Sequence, residues 1–132
     1  MEINELTGEI IGSAMRVHSE VGPGLLESVY KACLQYELVG RGLEVRTEYP
    51  IPVVYREVKI DVGHRVDLLV EDRVLVELKA VAAVPPVCEA QLLSYLRMSN
   101  RPMGLMINFH VVRLRDGVRR IANQIPLQRS PK

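Results

Sequence analysis

The chain has 132 residues, of which 48% are hydrophobic and 25% charged, and its formal net charge is +1. These values predict one globular domain over residues 1–132, and they exclude a strong nucleic-acid-attracting field over the whole surface, although not a local basic surface. No apolar run is long enough to span a membrane, and the first residues lack the basic start of a secretory signal. Two cysteines provide no disulfide framework and fit a reducing compartment, so we expect a cytoplasmic protein.

Two helices are predicted at the start of the chain. Apolar residues recur at helical spacing over residues 3–20, Gly22-Pro23-Gly24 interrupts the pattern, and a second helix follows to about Gly40. Glu27 lies in the first turn of that helix, where the helix dipole and capping-box geometry are already sufficient reasons for an acidic residue.

Two aromatic side chains of these helices have structural explanations. Tyr30 follows Glu27 by three residues on the same helix face, and a tyrosine there is more often a core or rim residue than a catalyst. His18 lies near the end of the first helix, where a cationic side chain suits the dipole.

The rest of the chain predicts a mixed sheet with one more helix. Strand-like sequence runs from Glu44 to Tyr55, where Pro50 and Pro52 require a bulge or an edge position. The later elements are a central hairpin from about Val58 or His64 to Val81, a helix over residues 87–98, a buried strand from Met103 to Phe109, and a hairpin from Val111 to Ile121 turned at Asp116-Gly117. The order α-α-β-β-β-α-β-β predicts an α/β fold in which helices cover a mixed β-sheet.

The central hairpin carries the most informative residues. The apolar side chains at residues 66, 68 and 70 and at residues 74, 76 and 78 all fall on even numbers. If one face of the sheet buries them all, the strands pair symmetrically about Asp72, because a slip of one residue would turn one strand over. Asp67 then lies opposite Glu77, and Val66 opposite Leu78. Two opposed carboxylates repel each other unless a cation or a shared proton lies between them.

This pair of acids predicts a divalent-metal site. Mg²⁺ and Mn²⁺ prefer oxygen ligands, which Asp67, Glu77 and the carbonyl of Leu78 could supply. Lys79 projects from the same face as Glu77, so its ammonium could hold an attacking water or stabilise developing negative charge. The alternative is a Glu–Lys pair on an exposed strand. The apolar flanks indicate burial on both faces, which favours the metal site.

Other polar residues leave two interpretations open. Gln91 and Tyr95 are four residues apart on the third predicted helix and could face one site, with Gln91 binding phosphate or a metal-bound water; a polar helix face explains them equally well. His64 and His110 lack partners at zinc-ligand spacing, and Cys88 lacks a partner that would activate a thiol.

A basic stretch lies near the C-terminus and comprises Arg113, Arg115, Arg119 and Arg120. A solvated strand face and an edge that contacts phosphate explain it equally well. Because the chain has no Trp and one Phe, we do not expect a broad stacking platform for single-stranded bases.

Residues 17–30, Val-His-Ser-Glu-Val-Gly-Pro-Gly-Leu-Leu-Glu-Ser-Val-Tyr, resemble the signature of the GxxExxY proteins of bacteria and archaea. The resemblance continues in residues 52–55, 65–70, 76–81, 89–96 and 104–109, so it covers almost the whole chain. Each segment is weak alone, but their order and spacing are specific. That family is placed in the PD-(D/E)XK nuclease-like superfamily, whose core is restriction-endonuclease-like.

The resemblance implies roles for particular residues of this chain. It implies a metal site formed by Asp67, Glu77 and Lys79, with Glu27 as the acidic residue from the early helix. It also implies that Gln91 and Tyr95 form the glutamine–tyrosine helix motif of several superfamily branches. His18 and Tyr30 fit the family pattern without a defined role.

The chain departs from the family pattern at three positions. Cys88 stands where a histidine is common, and His64 stands where an aromatic residue is common. If the usual histidine helps catalysis, either the activity is weakened or His64 substitutes for it. Val66 replaces the proline that often precedes the first aspartate, a common loss in the superfamily.

Together with the family resemblance, these residues predict a nuclease that hydrolyses nucleic-acid phosphodiester bonds with Mg²⁺ or Mn²⁺, with DNA favoured over RNA as the substrate. The metal ligands would be Asp67, Glu77, Glu27 and the Leu78 carbonyl; Lys79 would position water or stabilise charge, and Gln91 would orient phosphate with Tyr95 behind it. The alternative is a nuclease-like fold that binds nucleic acid or a protein without cleavage, which the weak net charge favours. The small size also suggests a homodimer that forms one groove across two sites.

Overall fold

A computed structural model of the chain describes residues 1–60 and 63–124. Within these ranges the helices are α1 (Ile3–Val21), α2 (Glu27–Gly40) and α3 (Val87–Ser99). The strands are β1 (Val45–Pro50), β2 (Val53–Tyr55), β3 (Val58–Ile60), β4 (Arg65–Val70), β5 (Val74–Lys79), β6 (Met103–Asn108) and β7 (Val118–Ala122). None of the described helices is both long enough and apolar enough to cross a membrane.

The main sheet has five strands in the order β1-β4-β5-β6-β7, and β2 pairs with β3 in a separate ribbon. Strands β5 and β6 are parallel, whereas the other neighbours in the main sheet are antiparallel. A parallel connection needs a long crossover, and α3 lies in the segment between β5 and β6. The sheet is therefore mixed, as predicted.

Helices cover both faces of this sheet, and each face has its own apolar cluster. The first cluster packs α1 and α2 against the sheet; its fully buried members include Leu6, Ile10, Leu34, Leu38, Leu68 and Val76. The second packs α3 against the opposite face; its members include Leu69, Leu75, Leu92, Leu96 and Met106. Each buried side chain of this size contributes about 1.5–3 kcal/mol. The α/β fold with helices flanking a mixed sheet is confirmed.

The segment predicted as one strand from Glu44 to Tyr55 is two strands. β1 ends at Pro50 on the edge of the main sheet, which confirms the edge position expected for a proline. Ile51 then turns into the α3 cluster, and its N–H donates to the carbonyl of His64 at 2.9 Å. The chain next forms the β2–β3 ribbon, so five strands precede α3 where three were predicted. Part of the predicted start of the central hairpin, residues 61–62, lies outside the described residues.

The predicted hairpin from Val111 to Ile121 is wrong. Residues Leu114–Gly117 form a turn of 3₁₀-helix, and β7 pairs with β6 instead. Leu114 is buried in the first cluster, which draws this segment onto the core. A Cβ atom on Gly117 would lie 2.1 Å from the backbone oxygen of Asn108, so the close approach of the two backbones requires glycine there.

Candidate active site

The pairing of β4 with β5 has the predicted register. Leu68 pairs with Val76 and Val70 with Val74, which is symmetric about Asp72. The regular ladder ends at the Leu68–Val76 pair, although both strands continue. Beyond the Leu68–Val76 pair, β4 and β5 are no longer joined by regular ladder pairs. We call the gap between them at this point, bordered by Asp67, Glu77 and Leu78, the notch.

Two carboxylates bridge the notch by accepting backbone hydrogen bonds from the opposite strand. The N–H of Asp67 donates to Glu77 Oε1 at 3.1 Å, and the N–H of Leu78 donates to Asp67 Oδ2 at 2.8 Å. Each acid thus replaces part of the missing ladder and is held in one position. Because the N–H and C=O of a residue in an extended strand point the same way, the Leu78 carbonyl also faces the notch.

The prediction that Val66 shares a face with Leu78 is wrong. Leu78 packs in the α1–α2 cluster, whereas Val66 packs in the α3 cluster. The alternation of β4 therefore reverses at Asp67, where side chains replace the ladder. Glu48 in the neighbouring strand β1 has a φ of 52° at the same level, so both strands depart from regular geometry there.

On the α3 side of the notch, Glu77 contacts His64 and Tyr95 lies behind that histidine. His64 Nε2 is 2.7 Å from Glu77 Oε2, and its ring stacks on Tyr95 with centroids 4.8 Å apart. Glu77 is only 7% exposed. Burial and then the charge of Asp67 raise the pKa of Glu77, against the lowering effects of the Asp67 N–H and of His64. Partial burial and then the charge of Glu77 raise the pKa of Tyr95.

On the α2 side, Glu27 begins the helix and so lies in its first turn, as predicted. Partial burial raises the pKa of Glu27, and the negative charge of Asp67 raises it further. The positive charges of Lys79 and Lys31 oppose this shift. Asp67, Lys79 and Lys31 therefore lie near enough to Glu27 for their charges to act on its carboxylate. By strand alternation Lys79 lies on the face of β5 that carries Glu77.

Tyr30 has a structural role that explains its spacing from Glu27. Its hydroxyl donates to the Gly22 carbonyl at 2.6 Å and accepts from the N–H of Leu25 at 3.1 Å. Its buried ring stacks on Phe109 with centroids 4.3 Å apart. Tyr30 thus fixes the loop that begins α2 and, through that loop, the position of Glu27.

We expect Tyr30→Phe to destabilise the protein by about 1–2 kcal/mol, because the substitution removes two hydrogen bonds but keeps the ring stack. Urea unfolding measures this loss. Tyr36→Phe is the matched control, since Tyr36 lies on the same helix with 79% of its surface exposed. Equal stability of the two variants would contradict this role for Tyr30.

Three residues near the notch were not anticipated from sequence. Lys31 lies one turn after Glu27 and pairs with Glu48 of β1 and with Asp67 Oδ1, the latter at 3.8 Å. The spacing of Lys31 from Glu27 on one helix face was a usable signal, whereas nothing in the sequence marked Glu48. Asn108 exchanges hydrogen bonds with the N–H and carbonyl of Val81 and thereby holds the chain just after Lys79.

The other residues singled out from the sequence make no hydrogen bond to the notch acids among the described contacts. Gln91 is exposed on α3, one turn before Tyr95, and among the described contacts it has no hydrogen bond to the notch acids. His18 Nε2 lies 2.8 Å from the Val111 carbonyl, which indicates a structural role. The basic stretch is divided, because Arg119 pairs with Glu89 and Arg120 follows it on the opposite face of β7.

The donor chemistry of the notch fits a hard divalent cation. Asp67, Glu77 and Glu27 offer carboxylate oxygens. Burial and then the charge of Asp67 raise the pKa values of Glu27 and Glu77, and a cation would favour the ionised form of both acids. Within residues 1–60 and 63–124, however, no three His, Cys, Asp or Glu side chains are gathered closely enough to ligate one ion together. The residues therefore fit an ion by their chemistry rather than as a preformed cage.

Comparison with known proteins gives one match. A family model described as PD-(D/E)XK nuclease superfamily matches residues 4–121, which include all but the first residue of α1, every element from α2 to β6, and all but the last residue of β7. None of the curated proteins or solved structures compared with the chain matches it. The mixed sheet with helices on both faces agrees with the restriction-endonuclease-like core that the sequence resemblance implied.

Proposed function

Because the chain belongs to the PD-(D/E)XK nuclease superfamily, we propose that it hydrolyses phosphodiester bonds of nucleic acid, DNA in preference to RNA, with Mg²⁺ or Mn²⁺. The observation that carries the proposal is the pair of reciprocal hydrogen bonds that hold Asp67 and Glu77 across the notch. Burial and then the charge of Asp67 raise the pKa of Glu77, so the folded protein disfavours the ionised form of this acid. A bound cation would offset that cost.

The proposed ligands are the carboxylates of Asp67, Glu77 and Glu27 with the Leu78 carbonyl. The ion would supply charge neutralisation at the scissile phosphate and activation of water. The chain's own residues would do the rest: Lys79 would stabilise developing negative charge at the edge of the notch. His64, stacked on Tyr95, would hold Glu77 in place.

Gln91 and Tyr95 have distinct proposed roles. Gln91 is exposed on α3, so its amide is available to orient a phosphate of the substrate. Tyr95 would act behind it by supporting His64. Neither Cys33 nor Cys88 forms a disulfide, in keeping with the proposed cytoplasmic location.

The test compares purified wild-type protein with Asp67→Asn on labelled single- and double-stranded DNA and RNA. We expect cleavage with Mg²⁺ or Mn²⁺ and none with a chelator. Asp67→Asn should lose more than about 100-fold of the rate, because even an outer partner of a metal ligand is worth about 10–100-fold. Glu20→Gln, which removes an exposed carboxylate of α1, is the control that should cleave normally. Cleavage by Asp67→Asn at the wild-type rate would remove the assignment.

A non-catalytic binding module is the second candidate. Two observations favour it: the net charge is only +1, and both oxygens of Glu77 already contact protein groups. This candidate predicts that Mn²⁺ raises the melting temperature while no form of DNA or RNA is cleaved. The same comparison therefore separates the two functions.

A homodimer is also proposed, on the basis of exposed apolar side chains along and before α2. Those more than half exposed are Leu26, Tyr36 and Val39. A second copy of the chain could cover them, since closed two-fold dimers are the commonest assemblies. Light scattering of the wild type and of Tyr36→Ser tests this: a dimer that becomes monomeric in the variant supports it, and a monomeric wild type rejects it.

A further inference from the structure

Lys31 is a cation placed between two carboxylates that come from different strands. Its Nζ pairs with Glu48 Oε2 and lies 3.8 Å from Asp67 Oδ1. The side chain is 25% exposed and that of Asp67 is 18% exposed, so this contact is partly shielded from solvent. Lys31 also lowers the pKa of Glu27, one helical turn away. A single ammonium thus acts on three acids around the notch.

Glu48 reaches this ammonium from an unusual backbone position. Its φ of 52° is in the left-handed region, which a residue other than glycine rarely adopts. The register of β1 with β4, given by Thr47 opposite Leu68 and Tyr49 opposite Val66, places Glu48 level with Asp67. The irregular turn of the backbone occurs at the one residue of β1 that completes the contact with Lys31.

The Lys31 ammonium lies beside Asp67 Oδ1, a carboxylate oxygen to which a second cation could otherwise bind. Hydrolytic sites with two metal ions place those ions about 3.5–4 Å apart. Asp67 would lie between two such positions here, because its Oδ2 is held by Leu78 at the notch while its Oδ1 faces Lys31. Glu48 would be the outer ligand of the second position.

With one divalent ion bound, the formal charges of the carboxylates and lysines around the notch would sum to zero. The carboxylates around the notch are those of Glu27, Glu48, Asp67 and Glu77. Lys31 and Lys79 supply two positive charges, and one divalent ion supplies the other two. A second divalent ion beside Lys31 would leave an excess of positive charge in a partly buried space, which is unfavourable.

We propose that Lys31 is a built-in cation that limits this site to one divalent ion. The inference rests on the proposed metal-dependent function and specifies its metal stoichiometry. Lys31 is a positioning residue in this scheme: it holds Asp67 Oδ1 and Glu48 and excludes a second ion.

Manganese binding measured by calorimetry and by the electron paramagnetic resonance signal of free Mn²⁺ tests this directly. We expect one Mn²⁺ per wild-type chain and two per chain in Lys31→Met. Lys31→Arg restores the charge and should bind one, and Lys31→Met/Glu48→Gln should also bind one, because the outer ligand is gone. Lys59→Met, which removes an exposed lysine of β3, is the matched control and should bind one.

Each result decides between distinct failures. If the wild type binds one ion and Lys31→Met also binds only one with a normal melting transition, the role of Lys31 is rejected and the proposed function stands. If the wild type binds two ions, the built-in cation is likewise rejected. If neither the wild type nor any variant binds Mn²⁺, the metal-dependent function itself fails. Lys31→Gln also removes the ammonium and should bind two Mn²⁺, which keeps the test decisive if Lys31→Met does not fold; one Mn²⁺ in a folded Lys31→Gln protein would reject the role of Lys31.

Discussion

Replacing Lys79 with methionine is expected to lower cleavage by about 100- to 1,000-fold, the usual cost of removing one group that stabilises transition-state charge. Methionine keeps much of the apolar length of lysine but has no ammonium. Lys79 is the last residue of β5, and its backbone is held in place because its carbonyl accepts a hydrogen bond from the N–H of Phe109 at 2.9 Å. Its charge already acts on Glu27 in the absence of any substrate. The substitution should therefore change chemistry more than folding.

Ion binding separates this outcome from a general loss of structure. Lys79 is not a proposed ligand, so Mn²⁺ should raise the melting temperature of Lys79→Met as it does for the wild type. Cleavage rates at saturating substrate, set beside those of Lys59→Met, isolate the chemical step. A Lys79→Met protein that cleaves at the control rate would exclude the lysine from the reaction, whatever its effect on stability.

The register of the central hairpin could be predicted because alternation and burial over-determine it. Val70 and Val74, on one face of the sheet, allow only one pairing that buries both. That register alone put Asp67 level with Glu77. The placement of Glu27 at the start of α2 was similarly accessible, because the glycine-rich break before it and the helical spacing after it are local signals.

The missed features arise from tertiary contacts that override local signals. Asp116-Gly117 is a strong hairpin signal, yet Leu114 is drawn into the core and Gly117 lies against the Asn108 backbone, so the turn became 3₁₀-helix. Val66 faces the opposite side of the sheet from the one that side-chain alternation predicts. The reason is that hydrogen bonds of the Asp67 and Glu77 side chains replace the regular ladder beside it. No sequence rule predicts that a residue such as Glu48 adopts a left-handed conformation within a strand.

Two of these misses, at Val66 and at Glu48, lie at the notch. A sequence pattern describes the regular parts of a sheet, whereas the site is formed where β4 and β5 stop pairing. The contacts of Lys31 cross from α2 to β1 and β4, with sequence separations of 17 and more residues. Functional sites commonly depart from local rules in this way.

Glu77→Gln is expected to make the metal-free protein more stable at neutral pH while abolishing both ion-linked stabilisation and cleavage. Burial and the charge of Asp67 raise the pKa of Glu77, which means that the folded state disfavours its ionised form. Glutamine is neutral and of similar shape, and its side-chain oxygen can still accept from the Asp67 N–H. It cannot supply an anionic ligand to a cation.

The pH dependence of stability tests independently whether the charge of Glu77 destabilises the metal-free protein. Because the folded pKa is raised above the ordinary 4.5, the folded wild type takes up a proton before the unfolded chain does. Stability without metal should therefore rise as the pH falls through the folded pKa towards the ordinary value, and be lost again as the pH rises. Glu77→Gln should lack this component, whereas the control Glu20→Gln should retain it.

Melting temperatures of the wild type, Glu77→Gln and Glu20→Gln, measured from neutral to mildly acidic pH with and without Mn²⁺, test both parts. A Glu77→Gln protein that is less stable than the wild type at neutral pH without metal would show that the His64–Glu77 contact outweighs the repulsion from Asp67. The opposed acids would then be a structural pair, and no cation would be needed to explain them. A Glu77→Gln protein that is more stable than the wild type without metal, as expected, would instead show that the charge of Glu77 destabilises the metal-free protein. A bound ion would then offset that charge.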